Sequence, residues 1–473
     1  MPSHLYDIAI VGAGTAGLAA LREARRHTDN LVIVNDGPYG TTCARVGCMP
    51  SKALIESANT FHRRAAFATL GIDGAASLSI DPSAVLARVR RLRDRFTNDI
   101  SAITSALGDQ SIAGRARLAA SDTLDVDGRR IKAKKIIIAT GSRPVVPPEW
   151  HSFGPRVLTT DTLFEQTSLP RQIGVIGLGA VGTELAQALA RLGLQVSAFG
   201  SNRFVAGLSD ERVNDTLVDL LRKEFAVNLG ERAQLEHGED GRIRVIASGA
   251  STTVDCVLAT LGRRPNVDAL GLEELGVELD AEGVPIFNHA TRQIGQLPIY
   301  IAGDAANENL VLHEAADDGY IAGTNATLDQ PICFERRTPL FVAFTEPNVA
   351  VIGTPYARLD PATTAIGAVS FTTQGRATLA EENRGIARVY ASRADSRLIG
   401  AELCAPRGEH LAHLLGLAIS RRLTVHDALR MPFYHPVFEE GLRTALRDLS
   451  KQLGHERQSD LASCRAVGAS ALD

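Results

Sequence analysis

Two cysteines five positions apart, Cys43 and Cys48, are the residues of this 473-residue chain whose type and spacing most clearly allow chemistry. They follow directly on what the sequence predicts as the second strand of a nucleotide-binding unit. The other four cysteines, at positions 256, 333, 404 and 464, are far from the pair and from one another. This distribution is not typical of a secreted disulfide framework, and it favours a reducing cytosol with one special pair.

The pair has three interpretations: a metal half-site, a structural thiol pair or a redox-active disulfide. A tetrahedral metal site needs two more ligands at short spacing, and none follows, so no metal is expected. In an ideal helix, residues five apart have Cα atoms about 8 to 9 Å apart, whereas a disulfide needs less than about 7 Å. The backbone must therefore leave helical geometry between them, and Gly47 is the residue that permits it. A strained disulfide near a helix start is easier to reduce, so the pair suits redox catalysis better than structural stabilisation.

The segment 6–36 has the pattern of a strand–turn–helix–strand unit that binds a dinucleotide. A glycine-rich loop lies between an apolar strand and a segment with helical periodicity, so its turn can approach a pyrophosphate at the helix start. The glycines of this loop are Gly12, Gly14 and Gly17. An acid usually ends the second strand and holds the ribose hydroxyls. Asn35 stands at that position with Asp36 next to it, and either side chain can hydrogen-bond a ribose.

A second unit of the same pattern occupies the segment 173–200. Its loop glycines are Gly177, Gly179 and Gly182. Two dinucleotide sites together with a reducible disulfide form an electron path, with a flavin and a nicotinamide as the two cofactors. This combination is the strongest signal in the residues themselves.

The end of the second strand in this second unit bears on the choice of nicotinamide cofactor. An NAD site usually carries Glu or Asp there, but this chain has Gly200 followed by Ser201, Asn202 and Arg203. An acid would repel a 2′-phosphate, and an arginine can pair with it. The residues therefore favour NADP over NAD. The alternative is that this segment is a surface turn that does not affect the choice of cofactor.

The segment from Cys43 to Lys52 resembles the active-site motif of the pyridine nucleotide-disulfide oxidoreductases, and its Ser-Lys ending most resembles the dihydrolipoamide dehydrogenases. Thr41 and Arg45 depart from this pattern, which has glycine and asparagine there. Both lie beside the disulfide and can alter its access or potential. The resemblance also implies that Glu184 pairs with Lys52 beside the flavin. Ala180 stands where the family has a larger gating residue over the nicotinamide pocket.

Further segments resemble the family's cofactor-binding motifs in the expected order. The resemblance assigns FAD contacts to Thr42, Lys52, Thr140, Gly141, Gly303 and Asp304, with Asp304 on the ribityl chain. It assigns Gly262 to the segment that leaves the nicotinamide domain.

The C-terminal part, from about residue 339, has the pattern of several strands followed by helices, which predicts a mixed sheet with helices on one side. It contains His435-Pro436-Val437 with Glu440 five residues after the histidine, which resembles the family's His-Pro-Thr-x-x-Glu motif. We expect Glu440 on the following helix, with its carboxylate near His435, so that the histidine is an oriented base for a dithiol. The resemblance implies that this base faces the disulfide of the partner subunit in a homodimer. Cys464, near the end of the chain, is interpreted as an incidental free thiol.

The resemblance implies an α/β fold with two Rossmann-like dinucleotide-binding domains, the second inserted in the first, and a C-terminal α+β dimerisation domain. The expected boundaries are 1–145 and 267–338 for the FAD domain, 146–266 for the NAD(P) domain and 339–473 for the dimerisation domain. The net charge of -4 argues against nucleic-acid and anionic-membrane partners. No signal peptide or membrane span is expected, and the predicted location is the cytoplasm.

The predicted function is FAD-dependent electron transfer between a dihydrolipoamide-like dithiol and a nicotinamide dinucleotide. The substrate thiolate attacks Cys43, Cys48 leaves as a thiolate facing the flavin, and hydride then passes to the nicotinamide. Two alternatives remain open. One is an NADPH-dependent reductase of another disulfide, a quinone or a metal ion. The other is a redox-sensing flavoprotein binding module, although such a module has no need of a dithiol base.

Overall fold

The computed structural model describes residues 4–247 and 249–454. The strands are β1 (Leu5–Val11), β2 (Leu31–Asn35), β3 (Ser111–Ala113), β4 (Ala116–Ala120), β5 (Thr123–Val126), β6 (Arg129–Ile138), β7 (Ser142–Pro144), β8 (Val157–Leu158), β9 (Gln172–Ile176), β10 (Gln195–Gly200), β11 (Ala226–Leu229), β12 (Gln234–His237), β13 (Ile243–Ala247), β14 (Ala250–Val254), β15 (Cys256–Ala259), β16 (Arg263–Pro265), β17 (Ile299–Ile301), β18 (Leu340–Ala343), β19 (Asn348–Gly353), β20 (Thr364–Ser370), β21 (Ile386–Ser392) and β22 (Leu398–Ala405).

The α-helices are α1 (Thr15–Ala24), α2 (Thr42–Arg45), α3 (Cys48–His62), α4 (Pro82–Ser105), α5 (Thr160–Leu163), α6 (Ala180–Arg191), α7 (Glu211–Leu221), α8 (Leu312–Ala326), α9 (Gly375–Leu379), α10 (Gly408–Ser420), α11 (Val425–Leu429) and α12 (Glu440–Gln452). The chain divides into two compact units. Unit 1 comprises residues 1–57, 81–170 and 256–336, and unit 2 comprises residues 58–80, 171–255 and 337–473. The predicted domain boundaries stay a prediction.

Unit 1 is built on a sheet of order β3-β2-β1-β6-β5-β4, with β17 also paired to β6. The strands β3, β2, β1 and β6 run parallel, as does β17 beside β6, whereas β5 and β4 are antiparallel additions. Both faces of β1 are buried: Ile8 and Ile10 belong to one core, and Ala9 and Val11 to the other. A strand buried on both faces is expected to be apolar throughout, which explains its sequence.

Helices α1 and α8 pack closely on one face of this sheet. Gly319 makes the approach possible, because a Cβ built on it would lie 2.1 Å from the carbonyl oxygen of Ala16. The first turn of α1 also lies directly beside Gly303, which follows β17, since a Cβ on Gly303 would lie 2.8 Å from the Cβ of Ala16. The carboxyl ends of β1 and β17 meet at this edge, which is where parallel sheets bind ligands.

Unit 2 contains a parallel sheet of β9, β10 and β11, an antiparallel sheet of β12, β13 and β14, and a larger antiparallel sheet of order β18-β19-β22-β21-β20. The larger sheet corrects the prediction of a mixed sheet, since each of its neighbouring strand pairs is antiparallel. Alternating hydrophobicity identifies strands but carries no information about their direction. Helices α10, α11 and α12 share one hydrophobic core with this sheet.

Within residues 4–247 and 249–454, no helix is long and apolar enough to cross a membrane. Cys464 lies outside the described residues.

Candidate active site

The two cysteines of the predicted redox pair lie on either side of a break between two helices. Cys43 is in α2, which ends at Arg45, and Cys48 is the first residue of α3. The backbone therefore leaves helical geometry between them, as the disulfide distance requires. Gly47 permits this through close approach and not through a left-handed conformation. A Cβ on it would lie 3.1 Å from both the Cα of Cys43 and the carbonyl oxygen of Thr42.

The two thiols interact directly in the structure, with Cys43 half-buried and Cys48 exposed. The side-chain hydrogen bond with Cys48, followed by burial, raises the pKa of the Cys43 thiol well above its ordinary value. The negative charge of a Cys48 thiolate acts in the same direction, and the charge of Lys52 acts in the opposite one. The contact between the thiols therefore disfavours a thiolate on Cys43, and the start of α3 stabilises negative charge on Cys48.

The turn that precedes the pair has two consecutive residues with positive φ. Gly40 has φ 107, and a Cβ there would lie 2.4 Å from the Cγ2 of Thr97. Thr41 has φ 56 and ψ 148, a conformation that a β-branched residue adopts only at a cost. Its Oγ1 accepts a hydrogen bond of 3.2 Å from the backbone N–H of Ala44 and so caps α2. Glycine, which the resemblance places at this position, adopts a positive φ without strain. Threonine is strained there, but its hydroxyl caps the helix.

The first glycine loop leaves room for a phosphate. Gly12 has φ 109, and its approach to β6 is so close that a Cβ would lie 2.2 Å from the carbonyl oxygen of Ala139. Gly14, by contrast, precedes α1 with nothing within 4 Å of a built Cβ. The start of α1 is thus open to a ligand, and its backbone N–H groups suit an anion. The third glycine, Gly17, packs against the carbonyl oxygen of Gly12.

The two candidate ribose ligands at the end of β2 are both engaged. The Oδ1 of Asn35 accepts a hydrogen bond of 3.0 Å from the N–H of Ala13, and its Nδ2 donates to the carbonyl oxygen of Gly37 at 3.0 Å. Asp36 forms an exposed ion pair of 2.8 Å with Arg115. The amide of Asn35 therefore supports the glycine loop. Of the two candidates, Asp36 is the one whose carboxylate lies on the surface at this strand end.

The second part of the first dinucleotide site gathers residues from β7, β16 and the end of β17. Ser142 donates a hydrogen bond to the Oδ2 of Asp304, and Arg263 donates to both the hydroxyl and the carbonyl oxygen of Ser142, each at 2.7 Å. Gly141 has φ 69. Within the described residues, the buried Oγ1 of Thr140 has no hydrogen-bond partner. An unpaired buried hydroxyl and the open space at Gly14 both fit a bound flavin dinucleotide. Thr42 is the exposed first residue of α2.

A buried cluster of charged residues supports Gly303 and was missed by sequence reasoning. The Oδ2 of Asp318 accepts a hydrogen bond of 3.1 Å from the N–H of Gly303, and Arg292 and Arg336 both form ion pairs with this carboxylate. Burial raises the pKa of Asp318, and the two guanidinium groups oppose that shift. Charged residues inside the apolar pattern of α8 are the only local signal of such a cluster.

The second glycine loop lies in unit 2 and repeats the geometry of the first. Gly177 has φ 101, Gly182 is buried, and Gly179 precedes α6 with nothing within 4 Å of a built Cβ. The buried Glu184 accepts a hydrogen bond of 2.6 Å from the N–H of Phe344. Ala180 is the half-buried first residue of α6. In unit 1, Gly262 has φ 98. The open start of α6 fits the phosphates of a second dinucleotide.

His435 and Glu440 are brought together as the spacing predicts. Glu440 is the first residue of α12, and both of its carboxylate oxygens lie 3.1 Å from the Nδ1 of His435. This hydrogen bond is the main cause that lowers the pKa of Glu440. Glu440 also accepts a hydrogen bond of 3.3 Å from the N–H of Val437. The exposed imidazole is thus oriented through Nδ1, which leaves Nε2 for proton transfer.

Fold and site together define a class: two dinucleotide loops, each at the start of a helix, and a dithiol at the start of a third helix. These three features together are typical of an FAD-dependent disulfide oxidoreductase that uses a nicotinamide dinucleotide. Residues 6–319 match the family model described as pyridine nucleotide-disulphide oxidoreductase, and residues 340–446 match its dimerisation domain. The chain belongs to this family, and the second match supports a homodimer.

Among curated proteins, a dihydrolipoyl dehydrogenase from Thermus scotoductus is 30% identical over 464 residues, covering 95% of this chain and 98% of that protein. One from Bacillus subtilis is 27% identical over 450 residues, covering 93% and 97%. LpdA from Mycobacterium tuberculosis has a similar structure, with a TM-score of 0.82, 26% identity and coverage of 93% and 99%. The HOCl-induced flavoprotein disulfide reductase RclA from Escherichia coli shares the fold, with a TM-score of 0.79, 22% identity and coverage of 94% and 99%.

Proposed function

We propose that this chain oxidises a small dithiol of the dihydrolipoamide type and delivers the electrons to a nicotinamide dinucleotide. The observation that carries the proposal is the state of the cysteine pair. Cys43 is half-buried within α2, whereas Cys48 is exposed at the start of α3, and the contact between the two thiols raises the pKa of Cys43. This asymmetry gives the two sulfurs different tasks, one for exchange with substrate and one for electron transfer.

In the proposed reaction, the imidazole of His435 takes a proton from one substrate thiol. The resulting thiolate attacks the Sγ of Cys43, the Cys43–Cys48 bond breaks, and Cys48 leaves as a thiolate. The second substrate thiol loses its proton to solvent as its sulfur attacks the first, the mixed disulfide breaks, and the sulfur of Cys43 leaves and takes the proton from the imidazolium. The raised pKa of Cys43 favours this last transfer. The substrate is oxidised to a cyclic disulfide, and the enzyme is reduced to a pair in which Cys43 is a thiol and Cys48 a thiolate.

When bound, FAD supplies a two-electron acceptor between this dithiol and the nicotinamide. We propose that Lys52 holds negative charge near Cys48 and that Glu440 keeps the imidazole of His435 in one orientation. In the homodimer, the His435–Glu440 pair of one subunit faces the cysteines of the other. The cysteine distribution favours a reducing compartment, so we propose the cytoplasm as the location.

The dithiol mechanism is tested by Cys48→Ser in the FAD-loaded dimer. Serine cannot form the disulfide, so turnover of dihydrolipoamide is expected to fall to background. NAD(P)H oxidation by ferricyanide bypasses the cysteines and serves as the control for folding and for both cofactor sites. Unchanged dihydrolipoamide turnover in the variant contradicts the mechanism.

We further propose that NADP is preferred over NAD, because Arg203 follows a strand end that lacks an acid. Gly200 is buried, and a Cβ on it would lie 2.9 Å from the Cδ2 of Leu229. A glutamate at this position therefore needs a small movement of that leucine. We expect Gly200→Glu to raise the KM for NADPH relative to NADH, with Gly200→Ala as the steric control. Equal changes in both variants contradict the charge argument.

An alternative function is NADPH-driven reduction of another disulfide, a quinone or a metal ion. It is favoured by the small Ala180 at the start of α6 and by Thr41 and Arg45 beside the cysteine pair, where the family has other residues. The Nε of Arg45 is buried without a hydrogen-bond partner within the described part of the chain. Specific activities with dihydrolipoamide, a panel of disulfides and a quinone, each with both nicotinamides, separate the two functions.

A further inference from the structure

The loop after β10 is held in place by a buried asparagine of α7. Asn214 accepts a hydrogen bond of 2.9 Å from the N–H of Val205 and donates one of 3.2 Å to the carbonyl oxygen of Arg203. The guanidinium of Arg203 lies 5.0 Å from the ring centroid of Phe204. The backbone at Arg203 is therefore fixed, and the position of its side chain depends on what the guanidinium binds.

The partner of this guanidinium is the first residue of α7. The Nη2 of Arg203 lies 2.7 Å from the Oε1 of Glu211, with 58% and 60% of the two side chains exposed. The preceding residue, Asp210, is buried and caps α7, and its carboxylate binds Arg388 and Tyr390. Glu211 is thus the acid that faces solvent at this helix start, whereas Asp210 is committed to the interior.

We infer that Glu211 is a specificity-determining residue of the nicotinamide site, because it competes with a 2′-phosphate for Arg203. The inference rests on the proposed function, which assigns Arg203 to that phosphate. NADP must replace the carboxylate of Glu211 on the guanidinium, and NAD leaves the ion pair intact. The end of β10 has no acidic residue, and Glu211 of α7 provides the negative charge near this part of the site instead.

The exposure of the pair sets the size of the effect. A solvent-exposed ion pair contributes little, and the Glu211 side chain can turn into water when phosphate arrives. A phosphate offers more charge and more acceptor oxygens than a carboxylate, so it prevails on the guanidinium. Glu211 therefore weakens NADP binding without preventing it, and the weakening decreases at high ionic strength.

The test uses the FAD-loaded dimer and two probes that differ by one phosphate, 2′,5′-ADP and 5′-AMP, measured by isothermal titration calorimetry. We expect Glu211→Gln to bind 2′,5′-ADP about two- to fivefold more tightly, the range of an exposed ion pair, and 5′-AMP unchanged. Glu239→Gln is the matched control, since it removes an exposed negative charge elsewhere in unit 2. Arg203→Gln is expected to weaken 2′,5′-ADP alone.

Three results overturn the inference. If Arg203→Gln leaves 2′,5′-ADP binding unchanged, the proposed NADP site fails, and the role of Glu211 fails with it. If Arg203→Gln weakens binding but Glu211→Gln matches the Glu239→Gln control, the NADP site stands and only the competition by Glu211 is refuted. If Glu211→Gln weakens 5′-AMP, Glu211 is a ribose ligand instead.

Discussion

Thr41 offers a prediction in which two substitutions at one position act in opposite directions. The residue has a positive φ of 56 next to the redox pair, and its hydroxyl caps α2 through the N–H of Ala44. Thr41→Gly relieves the backbone conformation and removes the cap. Thr41→Ala removes the cap and leaves the conformation in place. The turn before the cysteines is expected to become more stable with glycine and less stable with alanine.

The magnitudes follow from the two contributions. A residue in a sparsely populated backbone region costs about 1 to 3 kcal/mol, which glycine removes. Replacing the capping threonine by glycine lowers the free energy of unfolding by a few tenths of a kcal/mol. The greater freedom of glycine in the unfolded chain lowers it by about a further 0.5 to 1 kcal/mol. The balance for Thr41→Gly is a stabilisation of about 1 kcal/mol. For Thr41→Ala, the lost cap destabilises by about 1 kcal/mol.

Hydrogen exchange measured by mass spectrometry on the FAD-loaded dimer reports on this turn locally. The amides of Arg45 and Val46 donate to the carbonyl oxygens of Thr41 and Thr42, so they exchange when the turn opens. A change of 1 kcal/mol corresponds to roughly fivefold in exchange rate. Exchange should slow in Thr41→Gly and accelerate in Thr41→Ala. Faster exchange in both variants would refute the reasoning, because the positive φ would then carry no cost.

Three further predictions concern other parts of the structure. Asp318→Ala leaves the N–H of Gly303 without its acceptor and removes one of the carboxylates that pair with Arg292 and Arg336, so FAD affinity measured by fluorescence should fall more than in Asp318→Asn; equal losses would contradict this. Glu440→Gln should lower kcat with dihydrolipoamide roughly ten- to hundredfold by releasing the imidazole of His435, while ferricyanide reduction, its control, stays unchanged. Burial, followed by the charge of Arg191, lowers the pKa of His62. The unfolded chain then binds the proton more readily, so stability is lost as the pH falls through the folded-state pKa, and His62→Gln should flatten urea stability measured from pH 7 to 5.

Much of the fold follows from local patterns in the sequence. The two glycine loops and the strands that precede them lie where the sequence pattern predicts them. The ends of α3 show what local patterns do not give, since it begins at the second cysteine, Cys48, and ends at His62, where a short 3-10 helix follows. Periodicity places an amphipathic segment, but the ends of a helix depend on caps and on packing partners that lie elsewhere in the chain.

The candidate site divides in the same way. The spacing of His435 and Glu440 is enough to predict their contact, because five residues across a helix start leave few arrangements. The engagement of Asn35 with the glycine loop and the support of Gly303 by Asp318 were not predictable, since each joins residues from separate elements.

The sequence by itself determined which chemistry this protein carries: a cysteine pair, two glycine loops and a histidine–glutamate pair are set by residue type and short spacing. Tertiary structure decided how that chemistry is adjusted. It placed Glu211 on Arg203, brought Asn35 onto the first glycine loop, and buried the charges behind Gly303. The physical reason is distance along the chain, because electrostatic and hydrogen-bonding partners act through space and local patterns record only neighbours.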